Sequence, residues 1–470
     1  MKATVKQACR LAVFGAALAP VFVFAASADR LSPSTPGAAA AIAAPQGVGT
    51  YVAPMNVFLP ESSRAQAGDE GRRAHTNLHV KNAKGIHPQS LADLAVAEPA
   101  ADGVNPDTSF AEYPASLACL YGMGKAYAGC TPMNSKAYNA KGGERAIALV
   151  LAYDNPTAQS DLQYFASYFG LPVPKFTKVY ANGNGSCSTP PYDAGWALES
   201  SLDTQWSFSM APKAQIILVE ACSNSYTDLM YAEQVAEQQV LAYGGGQISN
   251  SWSSGEWSTE SSDWDWVFRS NWTPGSPISF FFSAGDAGIG PQFPSVSPWV
   301  VSAGGTTINR DPSSEAFVSE SCWAGSGGGT SVYETWSSSF GSGTGAWTGF
   351  QYPYFGPTSR MTPDISFDAD PASGAYVRNN GSWYVVGGTS LSAPALAGVV
   401  NASGNRMGVA PSPGGYYSNM ENNLLYAQLA TNREYFANFY DVTTGSNGVS
   451  AGPGWDSCTG VGSPRGKNGK

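Results

Sequence analysis

AIALVLAYDNPTAQSDLQYFASYFG, residues 146 to 170, decides how this chain folds. Its first part, AIALVLAYD (146–154), is apolar at every position before Asp154. A strand with no wet face must be covered on both sides, which is the environment of a parallel sheet flanked by helices. Its second part, SDLQYFASYFG (160–170), is helix-like, and the alternation then repeats. QIILVEA (215–221), ISFFFSAGD (278–286) and WVVSAGG (299–305) are further strand-like runs. ALESSLDTQWSFSM (197–210), TDLMYAEQVAEQQ (227–239) and SAPALAGVVNASG (392–404) are the helix-like stretches between and after them. No internal repeat is visible. One large α/β domain with a parallel sheet flanked by helices is therefore expected over 109–465, with 466–470 as a tail.

The rest of the composition narrows the partners. Apolar residues make up 43% of the 470, ample for a core, whereas charged residues are only 13%, about half the usual ~25%. A net charge of −10 without a basic patch argues against nucleic acid as a partner. With only 25 Lys and Arg, little positive charge would accumulate in acid, so the composition permits acid tolerance. Residues 1–28 read as a signal peptide: Lys2, Lys6 and Arg10, an apolar stretch LAVFGAALAPVFVFA (11–25), and Ala26-Ser27-Ala28 at the cleavage point. Export to the extracellular space or periplasm is expected, with no membrane association once the signal is removed. Six cysteines then remain, at 119, 130, 187, 222, 322 and 458. An oxidising compartment favours disulfides among them. Cys119–Cys130 is the nearest pairing in sequence, and Cys187–Cys222 with Cys322–Cys458 completes one set, other connectivities staying open. Residues 29–108, rich in Ala, Pro, Gly and Asp, read as a linker or a reduced pro-segment.

Ligand sites of such sheets lie beyond the carboxyl ends of the strands. Asp286 ends one strand there, Asn250 and Trp252 follow the run GGQIS, and Ser390 follows WYVVGG and opens a helix. A serine at a helix start is ordinarily an N-cap, but the small residues of GGTSLSAP (387–394) permit close backbone approach to Ser390. If Ser390 is a nucleophile it needs a base, and all three histidines, His75, His79 and His87, lie far upstream. The task falls to a carboxylate, a lysine or a tyrosine. In WALESSLDTQW (196–206), Glu199 and Asp203 are four apart, hence on one helix face, beside a stripe of Leu198, Leu202 and Trp206. Two like charges so close drive one pKa up. A solvated acidic face is the plainer alternative.

Taken together and in order, these motifs resemble the sedolisin, or serine-carboxyl peptidase, family. The likeness runs over roughly 109–465: AYDNPTAQSDLQYFASYFGLP, ALESSLDTQWSFSMAPKAQIILVEA, ISNSWSSGE, SAGDAG, TPDISFDADPASG and GGTSLSAP. The resemblance implies a subtilisin-like fold and a Ser-Glu-Asp triad. Ser390 would be the nucleophile, Glu199 the general base, Asp203 its orienting acid, and Asp286 a donor in the oxyanion hole. An ionised carboxylate cannot donate, so Asp286 would have to be protonated, which implies activity in acid that fades toward neutrality. The family also places one structural Ca²⁺ near the end of the domain. In FYDVTTGSNGVSAGPGWDSCTGVGSP (439–464) the matching ligands are Asp441, the carbonyls of Val442, Gly452 and Gly454, and Asp456. The expectation is a secreted, monomeric, acid-acting endopeptidase on protein or peptide substrates. Residues 29–108 are shorter than the family's folded pro-domain. A catalytically silent binding protein on the same fold is the alternative; a glycoside hydrolase using the two acids would leave GGTSLSAP unexplained.

Overall fold

A computed structural model of the chain describes residues 51–100, 111–269, 277–335, 351, 359–404 and 420–470, so the expected signal peptide lies outside the described residues. In chain order the strands begin with three short ones, β1 (Val57–Phe58), β2 (His75–Thr76) and β3 (His79–Lys81). Then come β4 (Ala146–Ala152), β5 (Lys175–Ala181), β6 (Gln215–Ala221), β7 (Gly246–Asn250), β8 (Trp252–Gly255) and β9 (Ile278–Ser283). β10 (Gln292–Phe293), β11 (Val300–Arg310), β12 (Phe317–Cys322), β13 (Gly329–Thr335), β14 (Ser359–Thr362), β15 (Ile365–Asp368), β16 (Ala375–Asn379) and β17 (Ser382–Gly387) follow. The helices are α1 (Pro114–Leu120), α2 (Ala158–Tyr168), α3 (Ala194–Met210), α4 (Tyr226–Ala242), α5 (Glu260–Phe268), α6 (Thr389–Ser403), α7 (Met420–Ala427) and α8 (Asn432–Asn438).

The central sheet runs β12-β11-β9-β7-β4-β6-β5, with β15 also paired to β11. All its pairings are parallel except the antiparallel β11–β12 edge. Every residue of β4 is buried, as the unbroken apolar run requires, whereas β5 at the opposite edge carries Lys175, Lys178 and Tyr180 toward solvent. Side-chain caps begin two of the covering helices: Asp193 accepts from the N–H groups of Gly195 and Trp196 at α3, and Ser225 from that of Asp228 at α4. The helices expected from sequence are present with ends shifted by at most three residues, and the six cysteines form Cys119–Cys130, Cys187–Cys222 and Cys322–Cys458.

α3 and α6 pack face to face across the buried interior. A Cβ on Gly398 of α6 would lie 2.6 Å from the Ser207 carbonyl and 2.8 Å from Met210 Cβ, so the missing side chain sets how closely the two helices meet. The stretch read as a linker is the main departure from expectation. β3 inserts between β1 and β17, and β2 pairs with β8, so residues 74–82 are buried. Main-chain pairing to an existing strand needs no apolar periodicity, which is why composition did not reveal it. The expected tail is also packed: Lys470 is 4% exposed and its carbonyl accepts from Ser403 Oγ at 3.1 Å.

Candidate active site

The structure brings Glu199, Asp203, Asp286 and Ser390 together. Glu199 and Asp203, one turn apart on α3, and Ser390 on α6 are all 0% exposed. Burial is the first cause that raises the Glu199 pKa well above the ordinary range. The Asp203 charge adds to it, the Ser390 hydroxyl opposes it, and Asp286 contributes a further increase. Neither Glu199 oxygen is within 3.5 Å hydrogen-bond reach of a partner, and Ser390 Oγ instead lies 3.5 Å from the Ser251 carbonyl. Ser390 is therefore near enough to Glu199 to oppose its pKa rise without a formed bond.

Ser251 links the pieces. Pro394 has no N–H to give the carbonyl four residues before it, that of Ser390. Ser251 Oγ takes that role at 3.2 Å and also lies 2.8 Å from Asp203 Oδ1. Burial raises Asp203 well above its ordinary pKa, against the hydrogen bond from Ser251. The single Ser251 hydroxyl proton is thus shared between Asp203 Oδ1 and the Ser390 carbonyl.

Asp286 is held by the residue beside the candidate nucleophile. Its Oδ1 accepts from the Thr389 N–H at 2.7 Å and from the Thr389 hydroxyl at 2.8 Å, while Oδ2 is buried without a hydrogen bond. Burial pushes Asp286 up to about 8, with the two Thr389 bonds opposing. His79 Nε2 lies 3.6 Å from Oδ2, a distance that would suit an ion pair. Burial lowers His79 to about 3, however, so the contact joins a neutral imidazole to a neutral carboxyl. Asp286 can therefore present a proton on Oδ2.

The other sequence candidates are placed as follows. Trp252 is a core residue whose indole donates to the Val150 carbonyl at 2.9 Å, and Asn250 is buried beside Glu233. Asp441 Oδ1 accepts from the Gly454 N–H and the Tyr435 hydroxyl, each at 3.0 Å. Asp456 accepts from the N–H groups of Gly452, Cys458 and Thr459 at 2.9, 2.9 and 2.8 Å. Both carboxyls thus reach the 452–454 turn, and neither has an ion-pair partner among the described residues. Burial raises Asp441 and pushes Asp456 up to about 6. Two desolvated acids on one glycine turn, lacking a positive partner, fit a hard cation with oxygen ligands. No group of three or more His, Cys, Asp or Glu is placed for a metal among the described residues, so carbonyls would have to complete such a set. Sequence reasoning missed Ser251, Thr389, Asn77 and His79. Ser251 and Thr389 sat inside motifs already noticed; His79 was set aside as far upstream, but the pairing of β3 with β17 brings it to 3.6 Å from Asp286, and nothing in the sequence singled out Asn77.

No family model matches the chain. It is similar to kumamolisin of Bacillus sp. (strain MN-32), 40% identical over 116 residues that cover 23% of this chain and 19% of that protein. It is similar also to xanthomonalisin of Xanthomonas sp. (strain T-22), 29% identical over 255 residues (50% and 27%), and to sedolisin of Pseudomonas sp. (strain 101), 28% identical over 194 residues (37% and 28%). The chain therefore spans less than a third of the length of these relatives. Among solved structures, Pseudomonas sedolisin, a serine-carboxyl proteinase complexed with two molecules of pseudo-iodotyrostatin, matches with TM-score 0.58 at 23% identity over 76% of this chain and 96% of that one, a likeness of fold. Sequence relatives and fold converge on one family, the sedolisins, with their subtilisin-like fold.

Proposed function

We propose that the chain is an exported, monomeric serine-carboxyl endopeptidase that cleaves protein or peptide substrates through an acyl-enzyme on Ser390. The observation that carries this reading is the buried Glu199–Asp203 pair on α3, packed against Ser390 on α6, while the nearby His79 contacts Asp286 instead. Glu199, acting in its ionised form, takes the Ser390 proton and later returns it to the leaving amine. Asp203, held by Ser251, orients Glu199 and tunes its charge. Asp286 donates from Oδ2 to the oxyanion, which requires its protonated form; with its pKa at about 8, activity holds in acid and fades as pH rises toward that value. Asp441 and Asp456, with the carbonyls of Val442, Gly452 and Gly454, would hold one Ca²⁺, whose contribution is to fix the 441–456 loop.

The test is cleavage of an unstructured protein from pH 2.5 to 8 by the chain and by its Ser390→Ala and Glu199→Gln variants. The expected result is cleavage in acid, reduced by at least ~10³-fold in both variants, with thermal unfolding little changed. Undiminished cleavage by either variant would remove that residue from the mechanism. No cleavage at any pH would favour a silent binding protein on the same fold.

A further inference from the structure

Residues 75–81 cross the candidate site as an extended segment. His75 and Thr76 pair antiparallel with Ser253 and Trp252 of β8, and the Asn77 N–H donates to the Ser251 carbonyl at 3.2 Å. Beyond Asn77, His79 and Val80 pair antiparallel with Gly387 and Val386 of β17. Between these two ladders, the Asn77 carbonyl accepts from the N–H of Ser390 at 3.1 Å. A Cβ built on Gly388 would lie 2.1 Å from that carbonyl oxygen and 2.5 Å from Asp286 Oδ2, so the two oxygens converge on one spot. A carbonyl held by the nucleophile's own N–H beside a protonated carboxyl is placed as the group to be attacked. That makes Asn77 the residue before the scissile bond.

The Asn77 side chain is correspondingly enclosed. Asn77 is 1% exposed, and its amide nitrogen donates to Ser283 Oγ at 2.6 Å and to Ser253 Oγ at 2.8 Å. Ser253 Oγ also lies 3.2 Å from the Asn77 amide oxygen and is hydrogen-bonded to Gln292. A pocket of two hydroxyls and an amide suits a short carboxamide. An apolar side chain of similar size would remove the bond to Ser283 Oγ and leave Ser253 Oγ with Gln292 alone, the kind of mismatch by which a polar site rejects an analogue.

We infer that the pocket of Ser253, Ser283 and Gln292 selects asparagine before the scissile bond, and that Asn77–Leu78 is the first bond this active site cuts. This rests on the peptidase reading above. Ser390 Oγ adds to the Asn77 carbonyl carbon while its proton passes to Glu199. The bond from that carbon to the Leu78 nitrogen breaks, and the nitrogen takes the proton. Water then adds to the Asn77 ester, giving up a proton to Glu199, and releases Ser390 with its hydroxyl restored and Asn77 as a free carboxyl terminus.

The purified full chain is incubated in acid and followed by intact mass and N-terminal sequencing. A new terminus at Leu78 is expected, absent from Ser390→Ala and slowed at least about tenfold by Asn77→Leu. The processed enzyme is then given matched peptides carrying Asn, Gln, Leu or Phe before the cleavable bond. Asn should lead by at least about tenfold in kcat/KM, and Ser283→Ala should narrow that lead. Ser390-dependent cleavage that ignores this residue would overturn the pocket assignment and leave the peptidase standing. Absence of any Ser390-dependent cleavage would overturn both.

Discussion

Gly388 carries the tightest constraint at the site. Its φ of +107° lies in the region that side chains rarely adopt, and an added Cβ would meet both the Asn77 carbonyl and Asp286. Gly388→Ala is expected to lower stability by about 1–3 kcal/mol, read from urea unfolding, and to reduce activity by displacing Ser390. Thr389 tests the protonation argument instead. Its hydroxyl and N–H both lower the Asp286 pKa, so Thr389→Val leaves one bond and moves that pKa higher. The neutral-side limb of the pH–activity profile should then shift to higher pH; a shift downward would contradict the assigned role of Asp286.

Between elements, the approach of α3 to α6 decides whether Glu199 reaches Ser390. Gly398→Ala puts a methyl against the Ser207 carbonyl at 2.6 Å, which pries the helices apart. Overpacking of this kind costs about 1–3 kcal/mol, and activity should fall by more than the stability loss alone explains, as kcat/KM measured well below the melting range will show. A second element contact is the ion pair Arg310–Glu112, between β11 and the start of α1. Nε–Oε1 and Nη2–Oε2 distances are 2.6 and 2.7 Å, with both side chains nearly excluded from water. Arg310→Met should destabilise by about 3–5 kcal/mol because Glu112 is left buried without its guanidinium partner.

For the whole molecule, burial holds Glu199, Asp203, Asp286, Glu233, Glu260 and Asp368 above their ordinary pKa values. A group raised on folding binds its proton more tightly in the native chain. Its stabilisation is complete below the unfolded pKa near 4 and is lost as pH rises through the folded value. His75 and His79, lowered by burial, act in the opposite sense below about 6.5, but they are fewer. The melting temperature should therefore fall between pH 4 and 8, where an ordinary protein gains or holds stability; a flat or rising profile would contradict the buried-acid account. If Asp441 and Asp456 bind Ca²⁺, a chelator should lower the melting temperature and added Ca²⁺ restore it. That response should shrink in Asp441→Asn; at a hundredfold excess over Kd the gain is about 2.7 kcal/mol.

The layers and the chemistry they carry follow from patterns along the chain. Unbroken apolar runs leave a strand no wet face, so β4, β6, β9 and β11 had to be covered on both sides, and the four-residue spacing of Glu199 and Asp203 set them on one face of α3. The use of residues 51–100, in contrast, emerges only once the chain is folded. The β2–β8 and β3–β17 pairings are made by backbone groups, which every residue type possesses, so they leave no side-chain period to read. The same holds for Ser251 between Asp203 and Ser390, and for Asn77 at the Ser390 N–H. Those contacts join positions far apart in the chain. A pattern along the sequence reports which face is dry, not which distant atom will lie against it.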